Sequence, residues 1–270
     1  MRNMSSTVST SIWRMLGRAL AWLGYALLIL PSLIIIPISF GGGQELAFPP
    51  KSFSLSLFVQ FVNDPSWWGS ALKSLVIASA TTVLSLLIGL PAAYGLARGS
   101  FRGRRVIEAC ALAPMLVPVI VLGLGVYMHF STLSLVDTMP GVVLAHTVLV
   151  LPFMLVAIGS GLRHTDIALE TVARVMGASR LRIFFEVVLP QIKTSVLVGA
   201  MFAFLISFDE VVIAYFITGP GTETLPVKMY SAIRWEVSPV LAAVSTLLTI
   251  LSLLFCLAVM ALQPKDDANQ

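Results

Sequence analysis

Charged side chains are few: Asp, Glu, Lys and Arg make up 11% of the 270 residues, against 57% hydrophobic ones, and the mean hydropathy is +0.94. A soluble globule of this size needs more polar surface, so the shortage excludes one and places the chain in a bilayer. Cysteine is nearly absent. Cys110 and Cys256 lie far apart in apolar segments, which excludes a disulfide framework and reads as two small core residues. His129, His146 and His164 are isolated and no H-E-x-x-H or C-x-x-C occurs, so no metal site is expected. None of the five lysines, Lys51, Lys73, Lys193, Lys228 and Lys265, follows a glycine. The phosphate-binding loop G-x-x-x-x-G-K-[ST] is therefore missing: if ATP drives this protein another chain binds it, and no cofactor is expected here. G-x-S-x-G is missing too, and no nucleophile, base and orienter set stands out. No catalytic residue is assigned, and the chain is not read as an enzyme.

What is present is apolar length. About 20 residues are needed to cross a bilayer as a helix, and such stretches occur at about 19–40, 70–97, 106–130, 141–160, 191–217 and 240–262. The fold class is all-α, a polytopic membrane protein of six transmembrane helices. The first apolar run is longer than a signal-peptide core and no A-x-A site follows it, so it is read as a retained helix. Residues 1–18 and 263–270 become tails on either side of a membrane domain at 19–262. With the N-terminus inside, thirteen of the seventeen basic residues fall in inside segments, and only Lys51, Lys73, Lys228 and Arg234 lie at the outer side. Both termini are then cytoplasmic. The pI near 9.3 is this topological bias and gives no reason to expect a nucleic-acid partner.

Between two greasy segments lies a polar one, "LETVARVMGASRLRIFFEVVLP", residues 169–190. Thr165 or Asp166 suits the start of a short helix running to about Met176, with Glu170 and Arg174 spaced for an i, i+4 ion pair. Gly177 suits the residue just past a helix end, and Ser179 the cap of a second helix with Leu181, Phe184, Phe185 and Val188 on one face. Pro190 then opens the next span. Helix physics leaves three readings open: a hairpin at the lipid headgroups, a docking element for a soluble partner, and a DNA-binding helix-turn-helix, which the tether between two spans disfavours.

In the fifth segment Gly199, Ala203, Ser207, Glu210 and Ala214 form a stripe at helical spacing, a candidate contact with another helix. Asp209 and Glu210 are adjacent carboxylates, costly in lipid unless compensated. They either pair with Arg234, Lys228 or Lys73 at the outer rim, or face a water-filled cavity that attracts a cation. Farther on, Thr224 suits a helix cap with Pro226 in the first turn, and Trp67, Trp68 and Trp235 read as interfacial anchors.

Ala173-Arg174, Gly177 and, after nine residues, Val187-Val188-Leu189-Pro190 resemble the E-A-A-x-x-x-G loop of permease subunits of binding-protein-dependent ABC importers. Aligned on Gly177, the first two consensus positions hold Thr171 and Val172, and Glu170 lies one residue early. The stretches "SFDE" and "GPGTETLPVKMYSAIR" are similar to the spermidine/putrescine branch, and the likeness runs over about 60–262, with the loop at 161–190. The resemblance implies a type I (MetI-like) permease fold with cytoplasmic coupling helices, in a bacterial inner membrane. It also implies a second permease chain, two ATP-binding subunits and an external solute-binding protein as partners, and a polyamine as solute. Glu170, Thr171, Ala173, Arg174, Gly177, Ala178, Ser179, Leu189 and Pro190 become coupling residues, and Asp209 and Glu210 pathway residues, Asp209 the stronger by the motif. The competing reading is a self-sufficient secondary transporter with that acidic pair as ion or proton site.

Overall fold

The computed structural model describes residues 4–42, 47–236 and 238–262. The expected tail at 263–270 lies outside these, as does the side chain of Cys256. In chain order the helices among the described residues are α1 (Met4–Ser39), α2 (Ser56–Asn63), α3 (Pro65–Arg98), α4 (Arg104–Leu112), α5 (Val119–Thr132), α6 (Met139–Arg163), α7 (Ile167–Val175), α8 (Arg180–Ile183), α9 (Leu189–Phe208), α10 (Val212–Ile217), α11 (Leu225–Ser231) and α12 (Val240–Leu262). Among these residues the only β pairing is one isolated bridge between Gly41 and Phe53. The chain divides into two compact units, Gly69–Ser231, and Met1–Trp68 together with Ala232–Gln270.

In the larger unit α6 is the central post. Val150, Met154, Ile158 and Leu162 recur every four residues along it, which puts them on one face, and all are fully buried with Ile183, Val188, Ile192 and Ala203. Small residues set the closest approaches. A Cβ on Gly199 of α9 would lie 2.9 Å from Met154 Sδ, one on Gly89 of α3 2.8 Å from Met154 Cγ, and one on Gly161 of α6 would strike the Ser195 side chain. The expected stripe is therefore a contact with α6 of the same chain, through Gly199, Ala203 and Ser207, all buried. A second core joins Ile77, Val142, Ala145, Ile213 and Ile217, where α10 meets α5 closely enough that a Cβ on Gly123 would lie 2.9 Å from the Phe216 ring. In the other unit α12 packs on α1 and α2.

Among the described residues four helices are long and apolar enough to span, Arg14–Ser39, Pro65–Arg98, Met139–Arg163 and Arg180–Phe208. Two expected spans are not straight. The third bends by 103° between Arg104–Met115 and Val119–Thr132, and Pro114 and Pro118 flank the bend: neither supplies an N–H to a helical ladder. The fifth ends at Phe208 and resumes at Val212. The sixth, α12, has its described apolar stretch at Val240–Leu254. Helix α1 starts at Met4, inside the segment expected as a tail. Cys110 is exposed and not a core residue, because α4 buries none of its side chains. Trp67 is buried where an interfacial anchor was expected, whereas Trp68 and Trp235 are exposed.

Candidate functional site

At one end of the larger unit, the segment read as a coupling element folds into a braced corner. Asp166 caps α7 by accepting from the Ala168 amide at 2.8 Å, which meets one of the amides a helix start leaves unpaired. Gly177 has φ +85°, the Gly177 amide donates to Arg174 O and the Ala178 amide to Ala173 O, both 3.0 Å. This paired closure needs a left-handed residue just past the helix, which is what glycine provides at least cost. Ser179 then accepts from the Arg182 amide at 3.3 Å.

Two expectations fail here. Glu170 does not pair with Arg174 but turns inward, 3% exposed, to accept from Arg98 Nε at 2.8 Å and Tyr94 Oη at 3.1 Å. Arg98, at the end of α3, also donates to Leu162 O at 3.3 Å and to the Thr165 hydroxyl. Its planar fork thus ties α3, α6 and α7 at one point. The second short helix is also not separate. Residues Arg180–Phe208 form one long helix, with a π turn at Phe184–Val188 directly before Pro190. The wider turn, closed by the Leu189 amide on Phe184 O, adds a residue to the repeat. The expected apolar face is split: Val188 is buried with Ile183, Phe184 is half-buried, and Leu181 and Phe185 are exposed.

Of the other residues assigned to this corner, Thr171, Arg174, Gly177, Ser179 and Pro190 are exposed, while Ala173, Ala178 and Leu189 are half-buried against the core. The most exposed apolar groups of this corner, Val175 (84%) and Met176 (82%) with Val172 beside them, are not among the residues assigned from the sequence. No sequence signal marked them, because the face they occupy is set by the burial of Glu170 against Arg98, which spacing along α7 does not reveal.

The opposite end is organised by Asp137, in the loop between α5 and α6. Its carboxylate accepts from the Thr222 hydroxyl at 2.8 Å, the Gly219 amide at 3.0 Å and the Gly221 amide at 3.4 Å. The Thr222 hydroxyl first, then these amides, hold its carboxyl below the ordinary range. A Cβ on Gly219 would lie 2.6 Å from the carboxyl, so the G-P-G stretch is shaped to admit this side chain. Thr224 does not cap α11 with its hydroxyl. The Leu225 amide takes Ser74 Oγ of α3 at 2.8 Å instead.

Between the two ends lies the helix break. Asp209 follows the last residue of α9 and is exposed; Glu210 is half-buried and accepts from the Ile213 amide at 2.8 Å, capping α10. Glu210 therefore does not continue the small-residue stripe, since no helix runs through it. The negative end of the α9 dipole and the Asp209 carboxylate lie together, a local field that favours a cation. Of the basic partners expected for the pair, Lys228 meets Glu223 at 3.8 Å and Lys73 reaches Pro220 O at 3.5 Å. Among the described residues no group of His, Cys, Asp and Glu is arranged for a metal ion.

Residues 85–264 match the family of binding-protein-dependent transport system inner membrane components. The chain belongs to this family. Like other inner-membrane components of that kind, the permease is one part of a transport system, and its relatives are transport proteins, which points away from an enzyme. It is 31% identical over 234 residues to the spermidine/putrescine permease PotC of Escherichia coli K12, covering 87% of this chain and 88% of that one. It is also 31% identical over 248 residues to the putrescine permease PotI of the same organism, covering 89% and 87%. Its fold is that of a bacterial ABC transporter that imports alginate, with TM-score 0.76 at 16% identity over 94% of this chain and 96% of that one. The permease is thus of the PotC type, and the reading as a self-sufficient secondary transporter finds no support.

Proposed function

We propose that this permease is the membrane half of a polyamine importer, forming with a second permease chain a pathway that two separate ATP-binding subunits open and close. The observation that carries this reading is the exposed apolar cap of α7, Val172, Val175 and Met176, on a corner made stiff by the Glu170–Arg98 clamp. A groove on an ATP-binding subunit would bury that cap, and the clamp would pass its displacement to α3 and α6. Glu170 thereby acts from inside as a brace, while Thr171, Ala173, Arg174, Gly177, Ala178, Ser179, Leu189 and Pro190 shape or flank the contact. Six spans, both termini in the cytoplasm and an external solute-binding protein complete the assembly. In support of that last partner, the alginate transporter has a structure in complex with its periplasmic protein.

The polyamine assignment draws on the names of the two relatives and on the helix break. Broken helices expose backbone carbonyls and dipole ends to solute, and here the α9 carboxyl end and Asp209 present negative charge together, with Glu210 half-buried behind as the cap of α10. The test is uptake of putrescine and spermidine by the assembled importer in proteoliposomes, with ATP inside and the solute-binding protein outside. Asp209→Asn is expected to raise the KM for uptake about tenfold, the equivalent of about 1.4 kcal/mol, with assembly unchanged. An unchanged KM removes Asp209 from the pathway, and uptake by this chain alone without ATP overturns the reading as a whole.

A further inference from the structure

A cavity of about 220 Å³ opens where α3, α4 and α6 converge, beside the Glu170 clamp. Its lining is half apolar, with Leu112 and Leu155 among the apolar groups, and its charge comes from Arg98, Arg104, Glu108 and Arg163. These four groups are not equivalent. Arg98 is engaged with Glu170, and Arg104 gives one N–H to Gly99 O at 3.4 Å. Arg163 and Glu108 line the same cavity with opposite charge, yet they make no ion pair or hydrogen bond, with each other or with any other described residue. Both side chains are exposed, so a ligand can engage them without breaking an internal pair. A ligand that carries both signs would satisfy them.

Size and surroundings narrow its class. The volume is several times the ~30 Å³ of one liquid water and below the about 300 Å³ at which pockets for drug-sized ligands begin. That range suits a headgroup and not a whole lipid. Around the cavity the exposed faces of α4 are apolar at Val106 and Ile107, which suits acyl chains, while Arg104 and Arg105 at its start suit the headgroup level.

We propose that this cavity binds the headgroup of an aminophospholipid, with the phosphate between Arg104 and Arg163 and the ammonium at Glu108. The phosphate takes charge-assisted bonds from two guanidinium forks, and the primary ammonium supplies N–H donors to a carboxylate that has none. A lipid held there sits against the ends of α3 and α6, next to the clamp. The site depends on the membrane setting alone and on neither the solute nor the ATP-binding partner, so its test reads binding without transport.

The test is native mass spectrometry of the delipidated assembled importer with phosphatidylethanolamine, phosphatidylcholine and phosphatidylglycerol added in turn. Phosphatidylethanolamine is expected to be retained about tenfold better than phosphatidylcholine, whose methylated nitrogen cannot donate. Glu108→Gln should erase that preference while leaving retention of the phosphate lipids otherwise unchanged. Arg163→Gln should lower retention of all three, and Arg104→Gln, a second route to the same readout, should do likewise. Equal retention of the three lipids by the native chain, a preference for phosphatidylglycerol, or indifference to all three substitutions overturns the proposal. Displacement by soluble phosphoethanolamine at comparable concentration also overturns it, since the site would then belong to a free phosphate compound.

Discussion

Gly177 and Glu170 act in the same corner by different physics. Gly177 has φ +85° with nothing within 4 Å of where a Cβ would sit, so any effect of substitution there is conformational and not steric. A left-handed backbone costs an L-residue roughly 1–2 kcal/mol, and Asn tolerates it best. Gly177→Val should therefore uncouple ATP hydrolysis from uptake most, Gly177→Ala less and Gly177→Asn least, with membrane insertion equal in all three. Parallel ATPase and uptake assays give the order, and equal coupling in the Val variant would remove the corner from the mechanism. Glu170→Gln leaves the Arg98 guanidinium, only 19% exposed, without its counter-charge. Breaking a buried pair costs about 3–5 kcal/mol, and the partial exposure of Arg98 moves the expectation below that range. A lower thermal midpoint for Glu170→Gln, with no such loss for Thr171→Ala on the exposed side of α7, would separate brace from contact. Gly177 was legible in the sequence because backbone conformation is a local property. The partner of Glu170 was not, because a helix-spacing rule sees Arg174 four residues on and cannot see Arg98, brought near by the packing of α3 on α6.

At the scale of elements, hydropathy located every apolar segment but not where the helices break. The bend beside Pro114 and Pro118, the gap at Asp209–Val211 and the π turn before Pro190 all fall inside apolar or amphipathic runs, where composition stays constant while the hydrogen-bond ladder changes. Only the prolines and the acidic pair marked them. The loop pin at Asp137 was equally hidden, since its ligands lie 82–85 residues away, and the G-P-G stretch was visible only as a motif. The pin predicts a pH dependence. Its carboxyl is held below the ordinary value of 3.8, so its contribution is complete above that value and is lost as pH falls through the lower folded value. Amide exchange at Gly219 and Gly221 should accelerate as pH drops below 3.8, once corrected for the intrinsic rate. In Asp137→Asn it should be fast already at neutral pH. Slow exchange in that variant would mean that the backbone alone holds the loop.

For the whole molecule, orientation rests on where the basic residues lie and on which loops the fold gathers at each end. Helix α6 has the Asp137 pin just before its start and the Arg98–Leu162 bond at its finish, so the 133–138 and 218–224 loops share one end and the 164–179 corner takes the other. Arg98, Arg102, Arg104, Arg105, Arg163, Arg174, Arg180 and Arg182 belong to the corner's side, against Lys73 and Lys228 on the opposite side. Basic loops stay in the cytoplasm because moving them across during insertion is unfavourable. The corner is therefore expected inside and the pin outside. With Cys110 and Cys256 replaced by serine, Ser134→Cys should react with a membrane-impermeant maleimide in intact spheroplasts, and Thr171→Cys only after the membrane is opened. Both positions are exposed in the chain, and expressing it without the ATP-binding subunits leaves Thr171 uncovered, so a failure to label then reports sidedness and not burial. The reverse pattern would put the α7 cap on the wrong face for any ATP-binding subunit, and the coupling role would fall with it.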